Sequence, residues 1–487
     1  MFFVKGWDFM LGFSSSIWVM FKIVEILDTQ TDYISSEKVL ELVGDSNISQ
    51  IKKLTRELKE DIEECYTEKE VKLTISKRNG LKLYRRSTSS LQRLIIRIAS
   101  KDLAYSIYKT LLIERSVRTS EFYQSNFISL STLQRKVKEI NQHLNTLGLH
   151  ITLSKHLTLH GKESTIRCFS FQFLYMIHRQ ISNIYWNDNN EYYLALAKKI
   201  NQQMGLNFAR PQEEILGLHL FVTYTAIQTN HELLLEEEAF PFFNEIGFPK
   251  KPSFLTSMPE NDWKFLTLII HNSNLSNYEI PLDFSSIEFT ELNHDFQIWM
   301  ELFEKYFTSI NATQKLFLYD FFLKLYLDSF FLKLDDALLC SFPGNILSLA
   351  REPHPYYLAQ FNKFWEAFAE KSGTWGQNYI KNQCLLLCEY LLPETNFLPK
   401  IKIYLYTHLS TIIFEQIKSA IESHFFGKYT FIFVSNPKES DLIVGTVHYP
   451  DITLTRKQRF ILIQVFVTQQ DYEHLDDAIN DLLLDEF

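Results

Sequence analysis

The chain has 487 residues, of which 46% are hydrophobic and 22% charged, a composition typical of globular proteins that excludes long disordered tracts. At about 100–200 residues per domain, this length predicts roughly three to five domains. The five cysteines are scattered, which argues against a disulfide framework. Cys384 and Cys388, on one apolar segment, are predicted to be buried thiols rather than metal ligands.

The net charge of −9 is unevenly distributed along the chain. Residues 1–167 carry 26 basic against 19 acidic residues (+7), whereas the remainder carries 23 against 39 (−16). This distribution indicates an N-terminal third that binds a polyanion and an acidic remainder with a regulatory role. The alternative is a chance clustering of charge.

The N-terminal stretch MFFVKGWDFMLGFSSSIWVMF is apolar around Lys5 and raises the question of a targeting signal. Asp8 interrupts the apolar run and no cleavage-site pattern follows it. No stretch of the chain reaches the roughly 18–20 uninterrupted apolar residues of a membrane span. We therefore expect a cytoplasmic protein with an apolar leader that packs on the first domain.

The stretch NISQIKKLTRELKEDIEE, which begins at Asn47, predicts an amphipathic helix. The stretch SEKVLELVG before it predicts another helix, and VKLTISKRNGLKLYRR after it predicts a β-hairpin that turns at Asn79-Gly80. The predicted buried face of the longer helix comprises Ile51, Leu54, Leu58 and Ile62. Its acidic residues Glu57, Glu60 and Asp61 are expected to weaken attraction to phosphate. The candidate nucleic-acid contacts are Lys52, Lys53 and Arg56 on the helix and Lys77 and Arg78 in the hairpin.

The stretch SLSTLQRKVKEINQHLNTLG, which begins at Ser129, repeats this plan. Ser129 or Ser131 can cap a helix that Gly148 ends, and ITLSKHLTLHG then alternates as a small hairpin. This order is that of a winged helix-turn-helix, whose second helix enters the major groove while the wing meets phosphates. The predicted buried face comprises Leu130, Leu133, Val137, Ile140 and Leu144. The candidate DNA contacts are Ser131, Thr132, Gln134, Arg135, Lys136 and Lys138 on the helix and Lys155 in the wing.

The two stretches align as one duplicated unit. Setting Ile51 on Leu133 aligns the helices at an offset of 82 residues, and setting Leu73 on Ile151 aligns the hairpins at 78. Two tandem winged helix-turn-helix domains, 1–88 and 89–166, explain this better than two chance amphipathic helices with solvated charged faces. The second unit is predicted to be the better DNA reader, because its helix offers both base-edge donors and phosphate contacts.

The body after residue 167 is dominated by aromatic helical patterns. RPQEEILGLHLFVTYTAIQTN aligns with NATQKLFLYDFFLKLYLDSFF at an offset of 100, which pairs His219 with Tyr319. This repeat predicts two all-helical modules, 167–285 and 286–398. The last segment then alternates strands such as IKIYLY and YTFIFVS with helices, which predicts a small α/β domain with a mainly parallel sheet over 399–487.

Two winged helix-turn-helix units, two helical modules and an α/β tail, in this order, resemble the Mga/AtxA family of global virulence regulators of Gram-positive bacteria. The resemblance covers the whole chain by architecture. It implies that the helical modules are phosphotransferase-system regulation domains and that the tail is similar to enzyme IIB of sugar phosphotransferase systems. It also implies a homodimeric transcription factor tuned by sugar-linked phosphorylation.

The resemblance also implies candidate phosphorylation sites. The first regulation-domain signature reads L-G-L-H-L here, so His219 occupies the phospho-acceptor place and Leu218 the place of the usual Asp. The second reads K-F-L-T-L-I-I, with Ile269 in the histidine place and His271 two residues later. Both histidines are also compatible with satisfied core residues. In the tail, Thr407-His408-Leu409 stands where a transferase would keep a phosphorylated Cys.

The sequence therefore predicts a DNA-binding transcriptional regulator that responds to sugar phosphotransferase status through histidine phosphorylation. The alternatives are a non-phosphorylated architectural DNA-binding protein, an RNA-binding antiterminator and a phosphotransferase component. The expected partners are double-stranded DNA, a second copy of the chain and phosphocarrier proteins. No phosphate-binding loop and no hydrolase or zinc-protease motif is found, so we expect no enzymatic activity, no metal and no cofactor.

Overall fold

The computed structural model describes residues 11–44, 46–231, 233, 242–273, 280–331, 355–372, 378–393, 397–448, 454–455 and 458–484. The chain divides into two compact units, one of residues 1–293 with 318–350 and the other of residues 294–317 with 351–487. Helices predominate and the sheets are small, so the mainly α part of the predicted fold class is confirmed.

The first helix–hairpin unit consists of α1 (Ser15–Thr29), α2 (Ser36–Val43), α3 (Ile48–Cys65), β1 (Val71–Ser76) and β2 (Gly80–Arg85). Part of the predicted apolar leader thus lies in α1, where Trp18 and Phe21 are buried. Apolar residues at helical spacing on α1 and α3 allow these two helices to bury their faces against each other and under the hairpin.

The hairpin of this unit is held close to the link between α1 and α2. Ile34 pairs antiparallel with Leu81 of β2. Gly80 has φ +97°, and a Cβ there would lie 2.2 Å from the Ile34 carbonyl oxygen, so glycine is required at this close approach. Because Ser76 pairs with Gly80, the turn contains three residues, Lys77 to Asn79, and the predicted two-residue Asn79-Gly80 turn was wrong.

The second helix–hairpin unit follows a connecting helix, α4 (Gln92–Ser100). It consists of α5 (Leu103–Glu114), β3 (Ser116–Arg118), α6 (Thr119–Ser125), α7 (Leu130–Leu144), β4 (His150–Leu153) and β5 (His156–His160). Its sheet is antiparallel with the strand order β3-β5-β4. In both units, therefore, a short extended segment before the middle helix pairs with the second strand of the hairpin, a correspondence that favours duplication.

The helical body continues directly from the second unit. Its first helices are α8 (Glu163–His178), α9 (Asn190–Met204), α10 (Arg210–Gln228) and α11 (Glu260–Asn272). One apolar core runs without interruption from Leu11 through both helix–hairpin units to Ile280. Among the described residues, the next helices are α12 (Thr290–Tyr306), α13 (Ala312–Phe331), α14 (Pro355–Lys371) and α15 (Asn378–Leu391).

A buried network of charged side chains ties the second helix–hairpin unit to the body. Arg167 of α8 donates through Nε to Glu163 Oε1 (2.9 Å) and through Nη1 to Asp262 Oδ1 of α11 (2.5 Å). Its Nη2 donates to the carbonyl oxygen of His231 (2.9 Å). Arg115, between α5 and β3, donates to the same Glu163 oxygen at 2.8 Å. Both arginines are 3% exposed, so removing a carboxylate would leave a buried charge uncompensated, at a cost of about 3–5 kcal/mol.

The tail forms a small α/β fold with its own core. Its elements are β6 (Lys400–Tyr406), α16 (Thr411–His424), β7 (Thr430–Phe433), β8 (Leu442–Gly445), β9 (Arg459–Leu462) and α17 (Gln469–Leu484). The four strands are parallel in the order β7-β6-β8-β9, which confirms the predicted parallel sheet. The buried side chains Ile403, Leu442 and Leu475 lie in its core.

Candidate nucleic-acid interface

The predicted recognition helix is α7, and its apolar side is buried almost as expected. Leu133, Val137, Ile140 and Leu144 are each at most 5% exposed. Leu130 was assigned to the same face, but it is 44% exposed, because it is the first residue of the helix and lies beyond the core that the later turns cover. The buried side of α7 therefore begins at Leu133, one turn into the helix.

A cluster of hydroxyl groups surrounds the N-terminus of α7. Ser129 caps the helix, since its Oγ accepts a hydrogen bond from the Thr132 backbone N–H (3.1 Å). The hydroxyls of Ser131 and Thr132 each lie 2.9 Å from Ser129 Oγ. These groups lie at the positive end of the helix dipole, where unpaired backbone N–H groups favour a phosphate oxygen.

Three of the predicted polar contacts on α7 are exposed on one side of the helix. They are Gln134, Arg135 and Lys138, and neither cation has an ion-pair partner among the described residues. Lys136 differs, because its Nζ donates to the Gly12 carbonyl oxygen (2.8 Å) and lies 2.9 Å from Glu139, with a side chain only 14% exposed. Lys136 is thus not part of the exposed basic surface, and its predicted contact with DNA stays a prediction.

The side-chain amide of Asn141 joins α7 to the wing through two hydrogen bonds to the backbone of one wing residue. Asn141 donates through Nδ2 to the Ile151 carbonyl oxygen (2.8 Å) and accepts from the Ile151 N–H (2.7 Å). At the wing tip, the Thr119 N–H donates to the Lys155 carbonyl oxygen (3.1 Å), and Thr119 Oγ1 donates to that of Ser154 (2.8 Å). These bonds hold the wing backbone at Lys155, whose side chain is exposed, in place.

The first unit presents a second set of cations, on α3 and in its hairpin turn. Lys52 and Arg56 on α3, and Lys77 and Arg78 in the turn, are exposed, and none has an ion-pair partner within the described ranges. Lys53 Nζ lies 3.7 Å from Glu57 Oε1, an exposed pair of little strength.

Asp61 does not weaken this surface as predicted. It is 2% exposed and bonds to Lys101 Nζ (2.6 Å) and Arg97 Nε (3.4 Å), so its charge is compensated inside the protein.

His219 lies inside the helical body rather than on its surface. The residue is 5% exposed, and its ring is stacked on that of Phe171, with the centroids 3.5 Å apart and the planes at 9°. Its Nε2 is buried and has no hydrogen-bond partner among the described residues. Burial lowers the pKa of His219 to about 3, so the ring is neutral at pH 7. This geometry does not present the exposed ring nitrogen that phosphoryl transfer requires.

The second candidate, His271, is partly buried. The Nδ1 of His271 lies 3.2 Å from the Ile280 carbonyl oxygen, and its Nε2 is buried. Burial, followed by the positive charge of Lys324, lowers the pKa of His271. In the tail, Thr407 follows β6, and its Oγ1 lies 2.9 Å from the hydroxyl oxygen of Thr446.

Phe127, in the turn between α6 and α7, was missed by the sequence analysis. It is 96% exposed and has φ +53°. The signal available in the sequence was a large apolar residue directly before the Ser-rich start of the helix.

In the part of the chain that the structure describes, no group of three or more His, Cys, Asp or Glu side chains is placed to hold a metal ion. The described helices include none that is long and apolar enough to cross a membrane.

Comparison with known proteins gives a family match over the segment that contains the second helix–hairpin unit. A search of curated proteins finds no match for the chain. The family model described as the Mga helix-turn-helix domain matches residues 87–174. This segment extends from before α4 into α8, and it contains α7, the wing and every candidate contact of the second unit. Residues 87–174 are therefore similar to the Mga helix-turn-helix domain, and the resemblance to Mga-type regulators is confirmed over this segment.

Proposed function

We propose that this protein is a DNA-binding transcriptional regulator. The observation that carries the proposal is the coincidence of the Mga helix-turn-helix match with an exposed helix side that bears Gln134, Arg135 and Lys138 without ion-pair partners among the described residues. Unpaired cations bind phosphate at little cost, because no internal partner has to be given up.

The proposed docking follows the usual geometry of a winged helix-turn-helix. Helix α7 enters the major groove, where Gln134 and Arg135 reach base edges, while Lys138 and the wing residue Lys155 contact phosphates. The bonds from Asn141 and Thr119 fix the wing before DNA arrives, so little ordering entropy is lost on binding. The first unit adds phosphate contacts through Lys52, Arg56 and its hairpin turn, which strengthens binding without adding sequence information.

Two modes of regulation remain for the helical body. In the first, phosphocarrier proteins of a sugar phosphotransferase system phosphorylate His219 and thereby tune DNA binding. In the second, the protein is an architectural DNA-binding protein without this chemistry. The enclosure of His219 against Phe171 favours the second, because a phosphoryl group would add close to two negative charges to an apolar interior.

We also propose that the protein assembles as a homodimer through its tail and has no catalytic activity. Ile412 lies in the first turn of α16 and Phe466 between β9 and α17, and they are 74% and 87% exposed. Large exposed apolar side chains fit a self-complementary contact. No cysteine follows Cys388, which argues against a phosphotransferase role for the tail.

The first prediction concerns DNA affinity. Arg135→Ala and Lys138→Ala should each weaken duplex binding, by about 1–3 kcal/mol for a residue that reaches base edges and by less for one that contacts only phosphate. The measurement is the dissociation constant on duplex DNA at fixed salt. Lys198→Ala, which removes an exposed lysine of α9 in the body, is the matched control and should bind like the parent protein. Unchanged affinity for DNA in a folded double variant would contradict the assignment of α7 as the recognition helix.

The second prediction concerns phosphorylation. The native chain, incubated with the phosphocarrier proteins of a sugar phosphotransferase system, should take up no acid-labile phosphate on His219, because its ring is enclosed. Mass spectrometry locates any label, a known regulation-domain protein serves as the positive control, and His219→Gln tests the site. A stoichiometric phosphate label on His219 that disappears in His219→Gln would contradict this prediction and favour regulation by phosphorylation.

The third prediction concerns assembly. Light scattering on the intact chain should give twice the monomer mass of 57.6 kDa. The double variant Ile412→Asp, Phe466→Asp should be mostly monomeric, because two charges would have to be buried in the contact. Tyr390→Asp, which alters an exposed aromatic residue outside the tail, is the control. A charged double variant that still dimerises fully would move the interface to another part of the chain.

A further inference from the structure

The turn between α6 and α7 has the hydrogen-bond pattern of a Schellman motif. The Phe127 N–H donates to the Gln124 carbonyl oxygen (3.1 Å), and the Ile128 N–H donates to that of Tyr123 (3.0 Å). In this motif the residue after the C-cap adopts a left-handed conformation, a place that glycine or asparagine usually fills. Here Phe127 fills it with φ +53°.

The ring of Phe127 contributes little to the fold. Ile128 and Tyr123 pack against the core and anchor the turn on both sides, whereas Phe127 is 96% exposed. A bulky residue at positive φ is strained, and an exposed aromatic ring is poorly hydrated. The turn would be more stable with glycine, so the ring at this position is better explained by a contact outside the chain.

The surroundings of Phe127 indicate what this contact is. The ring lies two residues before the cap Ser129 and directly before the N-terminus of α7, the part of a recognition helix that reaches base edges. Leu130, 44% exposed, adds a second apolar side chain among the hydroxyls of Ser129, Ser131 and Thr132. The thymine C5-methyl group is the apolar feature that the major groove presents, and Phe is one of the side chains that contact it.

We propose that Phe127 is a specificity-determining residue that reads thymine methyl groups at the N-terminal end of α7, with a smaller contribution from Leu130. This inference rests on the proposed DNA-binding function and adds a base preference to it. The protein should then prefer A·T base pairs at the positions in DNA that face the turn between α6 and α7. The cations of α7 and the wing supply affinity that does not depend on sequence.

The test compares two duplexes that differ only in methyl groups. The full-length protein is titrated with an A·T-rich duplex and with the same duplex in which uracil replaces every thymine. Base pairing and charge are then unchanged. The parent protein should bind the thymine duplex roughly fourfold more tightly for each methyl group that it buries.

Phe127→Asn is the informative variant, because asparagine tolerates the left-handed conformation and the turn should remain folded. It should lose most of the preference for the thymine duplex, with an affinity for the uracil duplex close to that of the parent. Leu130→Ala should reduce the preference in part. Tyr185→Ala, which removes an aromatic side chain that is 60% exposed outside residues 87–174, is the control and should keep the full preference.

Each outcome separates this inference from the proposed function. Equal binding of both duplexes by the parent protein, with Arg135→Ala still weakening it, overturns the methyl contact alone. An equal loss on both duplexes in Phe127→Asn also overturns it, because the ring would then contact sugar or phosphate. If the parent protein binds neither duplex at low salt, both the proposed function and this inference fall.

Discussion

The buried network around Arg167 is the interaction on which the placement of the DNA-binding surface depends. Only Gly161 and Lys162 separate the last wing strand from α8, and Arg167 ties the first turns of α8 to Asp262 of α11. The core that continues from Leu11 to Ile280 removes the remaining freedom between these elements. The wing and α7 thus pack together with the helical body as one structure. Helix α11 is connected to the wing through the Asp262–Arg167 ion pair, α8 and the two-residue link between α8 and β5.

The charged side chains of the N-terminal third fall into two groups, those that are paired within the protein and those that are available to a ligand. Asp61, Arg97, Arg115 and Glu163 are paired internally, and Lys136 is held by a backbone carbonyl. Arg135, Lys138 and Lys155 are exposed and have no ion-pair partner among the described residues. These three cations are therefore available to a negatively charged ligand on the side of the second unit that α7 and the wing present.

The amphipathic helices and hairpins could be predicted from sequence because their signals are local. The three- and four-residue spacing of Ile51 to Ile62 and of Leu133 to Leu144 fixes which sides are buried. The sequence could not predict that Lys136 bonds to Gly12, 124 residues away, or that Lys101 compensates Asp61. Those contacts depend on tertiary packing, as does the enclosure of His219, which its motif alone placed among phosphorylation candidates.

The same limit applies to the turn before α7. A helix end was predictable near Ser129, but the left-handed conformation of Phe127 follows from Ile128 reaching back to the core. No propensity scale would assign that conformation to a phenylalanine.

The central claim is that α7 faces DNA, and site-specific photocrosslinking tests it most directly. A photoreactive amino acid at Gln134, on the exposed side of α7, should crosslink to duplex DNA, and the same group at Lys198 of α9 should not. A crosslink from position 198 without one from position 134, in protein that binds DNA, would contradict the account.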